Sequence, residues 1–77
     1  MKELKVGNKV IGIFRKYGNH KILGEVIDIS NNEHGLPGKW VSILVLDGDK
    51  SDEALKFYIE KRILVLIPFQ DVLEIVC

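Results

Sequence analysis

The sequence predicts a single small, mainly β domain: a five-stranded barrel interrupted by one ambiguous segment, either a short helix or a hairpin arm. Three observations carry this. Short apolar runs rich in Val, Ile and Phe are punctuated by glycines at the spacing typical of antiparallel strands. The longest apolar stretch, Ile63 to Phe69, is far below the roughly 20 residues that cross a bilayer as a helix. A chain of 77 residues has room for one core only, and at this size only about 60% of the unfolded surface is buried, so that core must be dense.

The elements follow in order. Lys9 to Phe14 is a first strand, with Val10, Ile11, Ile13 and Phe14 supplying β-branched and aromatic side chains. Arg15 to Lys21, centred on Gly18-Asn19, is a polar loop. Ile22 to Ser30 is a second strand in which Gly24 permits a bend or bulge. Asn31 to Gly38 combines the strongest turn formers in the chain, including Gly35, Pro37 and Gly38. Trp40 to Leu46 is a third strand, with Val41, Ile43 and Val45 on one face and Trp40, Leu44 and Leu46 on the other. A turn over Asp47 to Lys50 comes next.

Residues 51–61 admit two periods. As a helix capped by Ser51 or Asp52, the segment places Leu55, Tyr58 and Ile59 on one face, Asp52 and Glu53 at its positive end, and Lys61 and Arg62 at its negative end. As a strand, Leu55, Phe57 and Ile59 alternate with Lys56, Tyr58 and Glu60. The helix is the preferred reading. Ile63 to Ile67 is then a buried strand ended by Pro68, Pro68 to Val72 a tight turn, and Leu73 to Val76 a short edge strand with Glu74 facing outward.

Composition narrows function more by exclusion than by assignment. Net charge is zero, which argues against a surface built throughout for phosphate backbones. Its distribution is uneven: residues 1–24 carry +5 and residues 25–53 carry −5. The basic candidate is Arg15, Lys16, Tyr17, His20 and Lys21, where cations beside an aromatic could neutralise phosphates and stack on a base; the plainer account is a hydrated loop. His20, His34 and Cys77 lack any C-x-x-C or H-x-x-x-H spacing, so no metal is expected. Asp47-Gly48-Asp49-Lys50-Ser51 imitates the start of a calcium loop, but Asp52 stands where glycine is needed and Tyr58 where a bidentate Glu should close the site. No nucleophile with a base, carboxylate pair or phosphate-cradling loop is legible, so neither enzymatic activity, a cofactor nor a small-molecule substrate is expected. A lone cysteine excludes an internal disulfide, and the start Met1 to Gly7 lacks a secretory pattern, so the expected location is cytoplasmic.

Val6-Gly7-Asn8-Lys9-Val10, Gly24-Glu25-Val26 and Ile67-Pro68-Phe69-Gln70-Asp71-Val72 carry a family resemblance. Together with the element order, they resemble the Src-homology-3-like small barrels, in phrases similar to KOW and Tudor-like domains and to the C-terminal domain of ribosome maturation factor. The resemblance implies one barrel over residues 1–77, and through its KOW-type members RNA binding as an alternative role. Two departures stand out. Residues 49–62 form an insert where these barrels usually have a tight hairpin, and no aromatic cage or cluster of Tyr and Trp marks a peptide groove.

The apolar supply exceeds what one small barrel interior holds. Either residues 49–62 fold back as a lid carrying Leu55, Phe57, Tyr58 and Ile59, or another molecule covers the surplus. The sequence therefore predicts a non-catalytic binding or assembly module that contacts a protein partner or a second copy through Trp40, Phe57, Tyr58, Leu64 and Leu66. The alternative is a nucleic-acid or ribonucleoprotein binder using the basic loop.

Overall fold

The computed structural model describes residues 3–16, 18–32, 35, 37–49 and 51–76. Tyr17, His34 and Cys77, named above, lie outside the described residues. Five antiparallel strands form one sheet: β1 (Lys9–Phe14), β2 (His20–Asn31), β3 (Lys39–Gly48), β4 (Leu64–Pro68) and β5 (Val72–Ile75). A helix, α1 (Glu53–Lys61), joins β3 to β4, and one turn of 3-10 helix (Phe69–Asp71) joins β4 to β5. The spatial order is β4-β3-β2-β1-β5, so β4 and β5 are the two edges.

Strict alternation builds the interior. Val10 and Phe14 of β1, Val41, Ile43 and Val45 of β3, and Val65 and Ile67 of β4 all point inward and are buried. β1 and β4 are not neighbours in the sheet, yet they meet across the core: a Cβ on Gly12 would lie 2.7 Å from Ile67 Cδ1. The sheet is therefore curled back on itself around one interior.

β2 makes that curl possible. Its pairing with β3 shifts register between Leu23 and Gly24 and again between Val26 and Asp28, and each bulge bends and twists the strand. The bend expected at Gly24 is present, but glycine is required there for closeness. A Cβ would collide with Ile43 Cγ2 and lie 2.7 Å from the backbone oxygen of Leu44.

The ambiguous segment is a helix. The Asp52 side chain accepts a hydrogen bond from the Leu55 N–H at 3.0 Å, which caps the first turn. Arg62 ends it in the left-handed region, φ 52°, and the Ile63 N–H donates to the Tyr58 carbonyl. Leu55 and Ile59 are buried in the core and Tyr58 packs beside them. The expected lid is corrected in one residue: Phe57 lies about 200° around the helix from Leu55 and is exposed.

Element boundaries also move. His20 and Lys21 begin β2 instead of ending a loop, and β3 runs on through Asp47 and Gly48, where a turn was expected, because Gly48 still pairs with Ile22. Pro68 belongs to β4 and pairs with Trp40. The Val45 N–H bonds to the Ile63 carbonyl, so in the antiparallel alternation odd-numbered residues of this segment bond to β3 and even-numbered ones face the open edge. The ring nitrogen of Pro68 thus points where no ladder bond is missed. No helix among the described residues is long and apolar enough to cross a membrane.

Candidate functional site

The basic loop is the first candidate, and Arg15, Lys16 and His20 are engaged within the chain. Arg15 donates from Nε and Nη2 to the two carboxylate oxygens of Asp71, both at 3.1 Å, and from Nη1 to Asn19. Asp71 is buried in the 3-10 turn, so the fork fastens the end of β1 to the entry of β5. The hydrogen bond and charge of Asp71 hold the guanidinium pKa above its already high ordinary value. Lys16 Nζ donates to the Tyr58 hydroxyl at 3.3 Å. His20 Nε2 lies 3.3 Å from Asp52 and Nδ1 lies 4.0 Å from Asp49, which links the start of β2 to the cap of α1. Lys21 is exposed, across the ladder from Ile13.

The acidic turn is similarly occupied by its own side-chain and backbone donors. Asp49 Oδ1 accepts from both the Ser51 hydroxyl, at 2.6 Å, and the Ser51 N–H, at 3.0 Å. These bonds, the hydroxyl first, hold the Asp49 carboxyl below its ordinary pKa. Asp47 accepts from the N–H of Gly48. Among the described residues, no three His, Cys, Asp or Glu side chains converge as metal ligands.

The second candidate is the outer face of β3 and β4. With Val65 and Ile67 turned inward, Leu64 and Leu66 point out and are 54% and 43% exposed, an unusual load for an edge strand. Register places Leu64 beside Leu44, Leu66 beside Ser42 and Pro68 beside Trp40. One strand further, Leu44 is flanked by Glu25 and Ser42 by Asp28. The result is an apolar strip two strands wide, bordered on its β2 side by carboxylates.

At its far end the strip opens into a groove of about 420 Å³ lined by Pro37, Trp40, Pro68 and Phe69. Trp40 is half-buried, with its indole N–H donating to the Pro37 carbonyl at 2.9 Å, so the ring is fixed as one wall. Lys39 Nζ sits 4.2 Å from the centre of the Phe69 ring.

Three of the five predicted contact residues, Trp40, Leu64 and Leu66, are thus assembled on one face by β-pairing. Tyr58 is not among them: it is half-buried against Phe14, ring centres 5.4 Å apart. Phe57 is exposed on the outward side of α1, edge-on to Tyr58. The groove residues Pro37, Pro68 and Phe69 and the flanking Glu25 and Asp28 were not singled out from sequence. Only the strand register brings them to Trp40 and the leucines.

In comparisons with protein-family models, with curated proteins and with solved structures, no significant match to this chain is found.

Proposed function

We propose that this chain is a non-catalytic small-barrel module whose outer β3–β4 face contacts a protein partner. The observation that carries this reading is the exposure of Leu64 and Leu66 beside Leu44 and Trp40, on a chain whose core is already complete without them. Fully burying an exposed leucine is worth about 1.5–3 kcal/mol, and at 54% and 43% exposure roughly half of that remains for a partner to recover at each of Leu64 and Leu66. The proposed kinship with the Src-homology-3-like barrels rests on element order: a four-strand meander, a single 3-10 turn, and a last strand returning beside the first. A binding role, with no reaction, suits a face whose polar groups are few and unclustered.

The nucleic-acid reading ranks behind it. A fork already spent on Asp71 gives Arg15 little to offer a phosphate, and His20 stands between two carboxylates.

A photoreactive amino acid introduced at Leu64 tests the proposal. In the native cell it should capture protein adducts that a probe at Lys21 does not. Adducts to nucleic acid from Lys21, with none from Leu64, would reverse the ranking.

A further inference from the structure

The strip on β3 and β4 has a charged border, and that border specifies its occupant more closely than the leucines do. Glu25 lies directly beside Leu44, and Asp28 directly beside Ser42, both on the outward side of β2. Among the described residues neither carboxylate is in an ion pair; Lys9 stands opposite Glu25 on β1 without closing one. Ile27, thrust out by the bulge between Val26 and Asp28, adds exposed apolar surface next to them. Among the described residues the cations beside the strip are Lys9, across from Glu25 on β1, and at the two ends Arg62, which donates to the Leu46 carbonyl, and Lys39, over the Phe69 ring. From Trp40 to Leu44 the strip runs about 13 Å, the length of two or three helical turns.

We propose that this face docks a basic amphipathic segment of a partner protein. Its aliphatic side chains lie on Leu44, Leu64 and Leu66, and lysines or arginines along one flank reach Glu25 and Asp28. The inference rests on the reading above that the β3–β4 face is the docking surface. Charge complementarity selects this occupant over the others. An isologous contact between two copies places the same patch on both sides, so it doubles the carboxylate border in one interface and adds no cation that the face does not already carry beside it. A phosphate backbone or an anionic bilayer would be repelled by the same border.

The test uses the full chain with two short amphipathic probe peptides, one of leucine and lysine, the other of leucine and glutamate. Binding is followed through backbone amide signals. The lysine peptide should perturb Leu44, Leu64 and Leu66, and its affinity should fall as salt rises. The double variant Glu25→Gln/Asp28→Asn should weaken it about tenfold and flatten that salt dependence, as expected of rim charges. The glutamate peptide should not bind.

Equal binding of both peptides at these leucines, lost in Leu64→Thr/Leu66→Thr, would overturn the basic occupant and leave the docking face standing. So would a dimer in sedimentation that the threonine variant dissolves. Binding of neither peptide, with a strict monomer, would overturn the inference and the docking face together. Because threonine is a good strand former and the glutamine and asparagine replacements lie on the surface, both variants should fold.

Discussion

At the scale of single residues, the roles in this chain are set by partners far away in sequence. Arg15 reads as a loop cation, yet its two hydrogen bonds to Asp71 span 56 positions, and nothing local announces them. Arg15→Lys keeps the charge but loses the planar fork, so thermal unfolding should move to lower temperature while the reverse exchange at an exposed site, Lys21→Arg, leaves it in place. Gly24 was legible as a bend; its contact with Ile43 and Leu44 was not, because that depends on register. Gly24→Ala should destabilise by about 1–3 kcal/mol in denaturant unfolding, the usual result of forcing a methyl into filled space. Asp49 gives a pH-dependent prediction. Its pKa is lowered in the folded chain by Ser51, so its contribution to stability is present above the unfolded-state pKa and is lost as pH falls through the folded one. In Ser51→Ala the carboxyl should titrate closer to its ordinary value, seen by carboxyl-carbon NMR. The variant's stability deficit should then be present near neutrality and vanish in acid.

At the scale of elements, the strands were legible because alternation of Val41, Ile43 and Val45 against Trp40, Leu44 and Leu46 has only one physical reading. The segment after Gly48 was ambiguous because Leu55, Phe57 and Ile59 satisfy a period of two as well as Leu55, Tyr58 and Ile59 satisfy a helix. The cap decides it. Once Asp52 binds the Leu55 N–H, the helical turn is nucleated and Phe57 must rotate away from the core. Two substitutions separate the periods by stability. Leu55→Ala should cost about 2–5 kcal/mol, as for a fully buried leucine, whereas Phe57→Ser should stay within about 0.5 kcal/mol. Similar losses at both sites would mean that α1 does not sit as described. Asp52→Ala should cost about 1 kcal/mol through the lost cap alone.

At the scale of the whole molecule, the fold class and single core follow from length, glycine spacing and the apolar surplus, but the interaction face does not. Leu64 and Leu66 were singled out for their chemistry. Their company, Leu44 and Trp40 on one side and Glu25 and Asp28 beyond, comes from three strands pairing in fixed register, information spread over some forty residues. The placement of Pro68 on the open edge has a further consequence, for solubility. Leu64-Val65-Leu66-Ile67 is a short, uncharged, β-prone run at an unpaired sheet margin, the composition from which cross-β stacks grow. A residue with no N–H at its end interrupts the row of donors that an incoming strand would need. Pro68 is therefore a gatekeeper: Pro68→Val, although a better strand former, should shorten the lag of thioflavin-positive fibril formation on mild heating, while the native chain stays clear.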